Sequence, residues 1–243
     1  MKNRGNQVRS RAQDTTCAAV TALLLGSLTV LWSGPAHAEC SSPPEPGVNW
    51  SGCEKERLRL NGSNLSRAKL ERTDFGGSDL SRVTFTDALM TGANFARARL
   101  HDADLTKAQM SKVEAPRADF RGADLKGADL SKSEMSRADL SETDLHGADL
   151  SKSELGRTSF RESDLTDVTF RFANLARADF RGATLTNAEL GMSHTYLTRI
   201  EGTDLKSVKG LSQSQVNLAC GNGETELPEG LKRPDSWPCK HLD

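Results

Sequence analysis

The stretch from Arg117 to Leu155 reads RADFRGADLKGADLSKSEMSRADLSETDLHGADLSKSEL, and a Leu, Phe or Met returns at every fifth position. On an α-helix, residues five apart differ by ~140° in direction, so this column would wind around the helix without forming an apolar stripe. On a flat β-strand an interval of five is odd, so successive members would face opposite sides. Neither regular structure therefore explains the period of five.

Two columns of residues extend this pattern through most of the chain. Between Leu60 and Leu190, the 27 positions taken at intervals of five hold sixteen Leu, seven Phe and three Met, with Ala115 as the exception. Two places before each lies a second column, from Ser63 to Val208, whose 30 members are all Ala, Ser, Thr or Val. Residues two apart on an extended segment point the same way. The chain must therefore turn once per repeat, with one large and one small side chain pointing inward.

A second period, of 20 residues, gives the number of turns in one coil. Shifted by 20 positions, the segment 117–135 matches the segment 137–155 at 13 of 19 positions. Twenty residues are four repeats, so four sides close one square coil. Stacked coils would then pair through their backbones as parallel strands do, ~4.8 Å apart.

The repeats GADLK, GADLS, RADLS and TDLHG register with the motif A-[DN]-L-x-x, and the chain resembles the pentapeptide-repeat family from about Leu60 to Val208. The resemblance implies an all-β solenoid, namely a right-handed quadrilateral β-helix; its handedness comes from the resemblance alone. At one strand spacing per coil, the region corresponds to about seven coils and a rod of roughly 35 Å. We predict a signal peptide over 1–38, a lead-in and cap over 39–59, the β-helix over 60–210 and a carboxyl-terminal cap over 211–243.

The amino-terminal segment has the pattern of a secretory signal peptide. Basic residues open it, an apolar run from Cys17 to Trp32 follows, and the tripeptide 36–38 fits a small-x-small cleavage site after Ala38. The run is short for a bilayer span of ~20 residues, which favours cleavage over an uncleaved anchor. Cleavage would leave 28 Lys and Arg against 32 Asp and Glu, a mild net charge near −4. We therefore predict a periplasmic or secreted bacterial protein.

The carboxyl end is expected to carry its own cover. Ser212 and Gln215 fit a capping box, and Leu211 and Val216 fit a hydrophobic staple. These signals predict one short helix over about 213–220, with Gly221 at its C′ position.

Four cysteines remain after cleavage, and an even number in an exported protein predicts two disulfides, with three possible connectivities. Bridged cysteines need Cα atoms within ~7 Å, which is much shorter than the rod. We therefore predict Cys40–Cys53 at one end and Cys220–Cys239 at the other.

Charged residues recur at the 20-residue interval and are the surface candidates for a site. The arginine row is the longest column of one charge and the candidate interaction surface: Arg97, Arg117, Arg137, Arg157 and Arg177. The aspartate row comprises Asp104, Asp124, Asp144 and Asp164. It could bind divalent cations or copy the charge of DNA, but bonding within the local turn explains it better.

Two further rows indicate neutralisation between neighbouring columns. The lysine row (Lys112, Lys132, Lys152) runs beside the glutamate row (Glu114, Glu134, Glu154). Asp119, Asp139 and Asp179 likewise follow members of the arginine row. Lateral ion pairs are therefore expected in both places.

No residue pattern indicates catalysis, a cofactor or a metal. The histidines fall in different columns, and the sequence has no glycine-rich phosphate loop and no zinc-ligand spacing. We therefore predict a non-catalytic scaffold or interaction surface in the bacterial envelope, whose partner is an unknown protein or anionic polymer. Nucleic acid is not indicated, and two covered ends favour a monomer. The alternative, by resemblance, is a DNA-mimicking, gyrase-binding protein of the kind that underlies quinolone resistance.

Overall fold

The computed structural model describes residues 38–239. Its backbone pairing repeats at an interval of 20 residues. Parallel bridges connect residues 20 apart, from Asn49–Lys69 to Glu189–Lys209. In this part of the chain each bridge is a single residue between two-residue turns, so the square coil is built from bridges and not from long strands. The pentapeptide-repeat β-helix expected from the sequence is confirmed. The predicted signal peptide lies outside the described residues, apart from Ala38.

Both inward columns form the core. Every member of the large column from Leu65 to Phe180 is at most 1 % exposed. Aromatic rings one coil apart stack on each other, with centroids 5.0 Å apart for Phe160 and Phe180 and 5.4 Å apart for Phe75 and Phe95. Burying each such side chain stabilises the fold by about 1.5–3 kcal/mol. The core is therefore a continuous apolar column inside the coil.

Most hydroxyl groups in the small column are buried and hydrogen-bonded to backbone carbonyls, whereas that of Ser133 is buried without a partner in the described part of the chain. The Thr73 hydroxyl donates to the carbonyl of Trp50 at 2.7 Å, and the Ser163 hydroxyl donates to that of Leu140 at 2.6 Å. A buried polar group costs little when it has such a partner. Ser and Thr can therefore replace Ala in this column.

The paired repeats begin before residue 60, the predicted start of the β-helix. Asn49 already bridges to Lys69, and the backbone N–H of Trp50 donates to the carbonyl of Lys69 at 2.8 Å. Trp50 is 1 % exposed and takes the large inward position of its repeat. Its indole N–H donates to the carbonyl of Ser42 at 3.2 Å, which ties the lead-in to this first coil.

Helix α1 spans Gln213–Leu218 at the carboxyl end. The predicted capping box is present, with reciprocal bonds between Ser212 and Gln215. Gln215 also donates through Nε2 to the carbonyls of Leu190 (2.8 Å) and Ser193 (3.0 Å), which fixes the helix to the preceding coil.

The predicted end of this helix was wrong. It stops at the C-cap Ala219, because Cys220 pairs with Arg199 in a parallel bridge. Gly221 is not a left-handed C′ residue. It instead lies against Trp237, whose ring a Cβ at this position would overlap.

Both predicted disulfides are present. Cys40 bonds Cys53 with a Cα–Cα distance of 5.5 Å, and Cys220 bonds Cys239 with a distance of 5.4 Å. The indole N–H of Trp237 donates to the carbonyl of Ala219 at 2.7 Å, so the tail lies against the end of helix α1.

Candidate functional site

The backbone holds the five members of the arginine row directly above one another. The N–H of Arg97 donates to the carbonyl of Pro116, the residue before Arg117, at 3.1 Å. The same bond repeats from Arg117, Arg137 and Arg157 to the next coil, at 2.9–3.1 Å. Each of these bonds spans one coil. The row therefore follows the stacking direction, with the ~4.8 Å spacing of paired strands.

All five arginines occupy the second residue of the corner turn, where the backbone is left-handed. Their φ angles lie between 58° and 62°. Gly, Asn and Asp adopt this conformation readily, whereas other L-residues do so at a cost of about 1–2 kcal/mol. The same corner position is glycine one coil earlier, at Gly77. Seventeen further non-glycine residues of the coil adopt a positive φ at the equivalent turn position, so the conformation is general to this fold and does not set the arginine row apart.

The guanidinium groups of the arginine row are exposed and unpaired. None of them has an ion pair or a side-chain hydrogen bond with any residue between 38 and 239. The structure thus presents five positive charges along one corner of the coil.

The predicted lateral pairing of the arginine row was wrong. Asp119 pairs with Arg121 at 2.7 Å, a residue of its own turn, and Asp179 pairs with Arg181. Asp139 lies 3.8 Å from Arg121. Asp119 and Asp179 pair with Arg121 and Arg181 because each arginine lies two residues after its aspartate on the same side of the coil. Side chains two residues apart there point the same way. The arginine row lies around the corner.

The lysine and glutamate rows also form no lateral ion pairs within the described residues, contrary to expectation. Glu154 instead accepts a hydrogen bond from the Asn174 side chain one coil further, at 2.8 Å. The lysine row occupies the same left-handed turn position as the arginine row, with φ at 60°. Its ammonium groups are exposed, so the corner before the glutamate row is also basic.

The aspartate row is engaged in turn bonding, as its local explanation predicted. The backbone N–H two residues along donates to the carboxylate of each member, at 3.0–3.1 Å. Lys126 also lies between two members of the row, with Nζ 3.0 Å from Asp124 and 2.7 Å from Asp144. Part of the negative charge on this side of the coil is therefore neutralised.

Hydrogen bonds control the titration of these carboxylates. Burial alone would raise the pKa of Asp104, but bonds from Thr106 and Thr86 outweigh it and lower that pKa. The side-chain hydrogen bond from Arg121 is the largest influence on Asp119 and holds its pKa below the usual range. Bonds to Asp144 and then Asp124 raise the pKa of Lys126. All three groups therefore remain charged at neutral pH.

A strip of small residues lies on the side of the coil that precedes the arginine row. Its members stand one before each arginine, at the 20-residue interval: Ala96, Pro116, Ser136, Gly156 and Ala176. At its amino-terminal end the surface forms a shallow depression, lined among others by Gly76, Asn94, Ala96 and Arg97. We call this surface the small-residue strip. Sequence reasoning missed it, although its period of 20 is visible in the printed sequence.

The three histidines between residues 38 and 239, His101, His146 and His194, lie in different columns of the coil. His101 bonds the carbonyl of Arg121 through Nδ1 at 2.7 Å and lies 3.2 Å from Asp102. Within residues 38–239, no group of three or more His, Cys, Asp or Glu side chains is placed to hold a metal ion. The same residues contain no helix that could span a membrane.

Comparison with known proteins places the repeat in a family. The model of pentapeptide repeats matches in eight copies, over residues 47–81, 78–114, 118–157 and 163–194. A trypsin-treated QnrB1, a plasmid-mediated fluoroquinolone resistance protein, is 21% identical; the match covers 74% of this chain and 89% of that chain at a TM-score of 0.53. HetL, involved in heterocyst differentiation regulation in the cyanobacterium Nostoc sp. strain PCC 7120, is 26% identical over 79% of this chain and 90% of that chain, with a TM-score of 0.42. The search of curated proteins found no match. The family match covers more than half of the sequence, and the chain belongs to the pentapeptide repeat family.

Proposed function

We propose that this chain is an exported, non-catalytic interaction scaffold of the bacterial envelope, and that the arginine row is its binding surface. The observation that carries the proposal is that backbone bonds hold five guanidinium groups in register and that none of the five has an ion pair within the part of the chain that the structure describes. A rigid coil fixes the spacing of these charges before any partner binds, which lowers the entropy cost of association.

Export is supported by the cysteines as well as by the amino-terminal pattern. Cys40, Cys53, Cys220 and Cys239 are all disulfide-bonded. Disulfides persist in oxidising compartments such as the bacterial periplasm and are rare in the cytosol. The pattern of a signal peptide over 1–38 gives the same compartment from an independent part of the sequence.

We also propose the finer features of the fold that the family resemblance implies: a right-handed coil of about seven turns and helix α1 as the cover of its carboxyl end. The bonds from Gln215 to Leu190 and Ser193 support the covering role. A helix that covers the strand edge of the last coil would block pairing of that edge with another molecule, which is consistent with a monomer.

A gyrase-binding DNA mimic is the alternative, and two observations weigh against it. A DNA mimic needs a negative surface, whereas the arginine row is unpaired and positive. Lys126 also pairs with two members of the aspartate row, which was the candidate acidic surface. The likeness to QnrB1, at 21% identity, supports the shared fold alone.

Cell fractionation tests the compartment. We expect the tagged protein in the periplasm or medium, with Glu39 as its first residue. Unprocessed protein in the cytoplasm would contradict export and restore the alternative.

Partner capture from a periplasmic extract tests the binding surface. We expect the wild-type chain to retain a partner that the variant Arg117→Glu/Arg137→Glu/Arg157→Glu loses. The matched control Lys112→Glu/Lys132→Glu/Lys152→Glu changes three exposed cations at the equivalent turn position. Equal retention by all three proteins would remove the arginine row from the proposal.

A further inference from the structure

We propose that an exposed apolar surface at the carboxyl end of the coil docks on an anionic phospholipid bilayer. The surface consists of Phe172, Met192, Tyr196 and Leu218, and we call it the apolar patch. This inference rests on the proposed envelope location and adds the membrane surface to which the scaffold is attached.

Most of the large apolar side chains that are exposed in the described part of the chain lie in this patch. Met192 is 72% exposed, Phe172 47%, Tyr196 46% and Leu218 43%. Leu58, near the amino-terminal end of the coil, is the fifth such residue between 38 and 239, at 38%. A single exposed apolar side chain is ordinary, whereas a contiguous group of them marks an interaction surface.

Backbone bonds place the four side chains next to one another. The N–H of Phe172 donates to the carbonyl just before Met192 at 3.1 Å, which stacks these two residues at one corner of the coil. On the side that follows, the N–H of the residue after Tyr196 donates to the carbonyl of Leu218 at 2.7 Å, so Leu218 lies one coil beyond Tyr196. Met192 and Leu218 line one shallow depression beside helix α1. The patch is therefore continuous across a corner and the adjoining side.

The coil does not need large apolar residues at these outward positions. The corner column of Phe172 and Met192 holds the lysine row in the three preceding coils. The column of Tyr196 is the continuation of the small-residue strip, with Ala176 one coil earlier. Both columns change to large apolar residues at the same end of the coil. A contact outside the chain explains this coincidence better than packing within it.

The shape and size of the patch favour a bilayer over a folded partner. Phe172 and Met192 stand at a corner, so their side chains project from the coil, whereas sites for small ligands are concave. Four half-exposed side chains of this size present roughly 400 Å² of apolar surface, about half of what each partner buries in a stable protein interface. Insertion among lipid chains requires no complementary shape.

Cations beside the patch match the headgroups of an anionic bilayer. The guanidinium carbon of Arg171 lies 5.5 Å from the centre of the Phe172 ring. Three further cations on the surrounding coils are exposed and have no ion pair within residues 38–239: Lys152, Arg177 and Lys209. Binding of a protein surface to a bilayer strengthens with the apolar area that is buried and with the attraction of its cations to anionic lipid.

Acidic side chains near the patch are paired or outnumbered. Glu154 accepts a hydrogen bond from Asn174, and Glu189 lies 3.5 Å from Arg171. Between residues 97 and 177, the corners of the lysine and arginine rows and the side that they enclose carry eight cations against the three carboxylates of the glutamate row. The aspartate row stands ten residues, or two sides, away and faces in the opposite direction. The charge of the coil thus turns the patch toward an anionic surface.

Vesicle sedimentation tests the docking surface. The chain from Glu39 onward, with both disulfides formed, is used so that the apolar run over 17–32 does not contribute. We expect binding to vesicles of phosphatidylglycerol and phosphatidylethanolamine mixed at about one to three, and binding at least about fivefold weaker to vesicles of phosphatidylcholine alone. No binding to either vesicle, or equal binding to both, would overturn an anionic bilayer as the occupant.

Two variants separate the patch from other exposed apolar surface. Phe172→Ser/Met192→Ser should weaken binding to the anionic vesicles about tenfold, because it removes the apolar side chains that project from the corner. Leu58→Ser is the matched control, since it removes an exposed apolar side chain near the opposite end of the coil, and it should weaken binding less than about twofold. Circular dichroism melting of both variants checks that the coil is intact. Equal losses in the two variants would contradict the proposal.

The depth of insertion distinguishes docking from adsorption through charge alone. Met192→Trp is mixed with anionic vesicles whose acyl chains carry bromine, which quenches tryptophan that enters the bilayer. Its control is Arg72→Trp, at the same left-handed turn position of the same corner column near the amino-terminal end. We expect quenching of the added tryptophan in Met192→Trp and none in Arg72→Trp. Equal emission from the two would show that the patch does not insert.

Sedimentation equilibrium without vesicles tests a second copy of the chain as the occupant. We expect a monomer. A dimer that Phe172→Ser/Met192→Ser abolishes, together with a failure to bind vesicles, would replace the bilayer by the second copy. Unprocessed chain in the cytoplasm would overturn the envelope function and leave the vesicle measurements unchanged, so the two failures are distinguishable.

Discussion

Lys126 and Asp144 form an ion pair across two stacked coils, with Nζ 2.7 Å from the carboxylate. The same ammonium lies 3.0 Å from Asp124, two residues before it on its own coil. One cation thus bridges two members of the aspartate row. The arginine row differs, because none of its five cations has an ion pair among residues 38–239.

A double-mutant cycle on Lys126 and Asp144 should give a small coupling. Both side chains are partly exposed, so we expect an interaction free energy of about 0.2–1 kcal/mol from urea unfolding of Lys126→Ala, Asp144→Ala and the double variant. The coupling should vanish at 1 M NaCl, where the Debye length is about 3 Å. A coupling that persists in high salt would show that the pair acts through packing and not through charge.

The small column should not accept a large side chain. Ala128 is 1% exposed and faces the packed interior, so Ala128→Phe forces displacement of neighbouring core residues. We expect a loss of about 1–3 kcal/mol or more in the free energy of unfolding.

The matched control for this change is Lys132→Ala. It alters an exposed side chain without a described partner and should shift stability by less than about 0.5 kcal/mol. Thermal melting of both variants decides the matter. Equal melting temperatures would contradict the inward direction of this column.

Acid should destabilise the fold through the turn aspartates. The pKa of Asp104, Asp119, Asp164 and Asp179 is lowered in the folded chain. The folded state therefore binds fewer protons at these groups than the unfolded state. Their contribution to stability is complete above their ordinary pKa of about 3.9 and is lost as pH falls through the lower folded values. Melting temperature should be flat from pH 7 to 5 and fall below pH 4.

The double variant Asp104→Asn/Asp164→Asn should reduce the fall in melting temperature below pH 4. An asparagine keeps the turn bond, as Asn94 and Asn174 do natively with Ala96 and Ala176, but it carries no charge to titrate. Parallel melting curves for variant and wild type between pH 5 and 2 would show that these two carboxylates do not govern the acid response.

The carboxyl-terminal disulfide should stabilise the end of the coil. Cys220 and Cys239 are separated by 19 residues, and closing a loop of this size lowers the entropy of the unfolded chain by an amount equivalent to about 3 kcal/mol. Cys220→Ser/Cys239→Ser should therefore increase amide hydrogen exchange in helix α1 and the last coil. Exchange at Leu125 and Leu145, in the middle of the coil, should stay as slow as in the wild type.

The fold could be predicted from the sequence because its period is carried by many residues. A large apolar residue recurs at nearly every inward position of the large column from Leu65 to Phe180. The match of the sequence with itself at a shift of 20 residues then indicates four repeats, and so four sides, per coil. The capping box at Ser212 was visible for the same reason, since its residue types are specific to a helix start.

The surface contacts could not be predicted with the same success. Asp119 lies two residues from both Arg117 and Arg121, and proximity along the chain does not tell which of them shares its side of the coil. The end of helix α1 was missed for a related reason: the bridge of Cys220 to Arg199 is a tertiary contact and overrides the local glycine signal. The arginine row lacks ion pairs with the neighbouring aspartates because it lies around the corner from them. The sequence does not show this, and the three-dimensional structure does.

The pairing interval changes at the carboxyl end, and this has a consequence for self-assembly. It is 20 residues from Asn49–Lys69 onward but becomes 21 at Arg199–Cys220 and 22 at Asp204–Glu226. The inserted residues let Cys220 and Glu226, both in the carboxyl-terminal cap, pair with the coil. The strand-edge groups of Arg199 and Asp204 are thereby occupied within the chain, and we predict that this end is protected against edge-to-edge association with a second molecule.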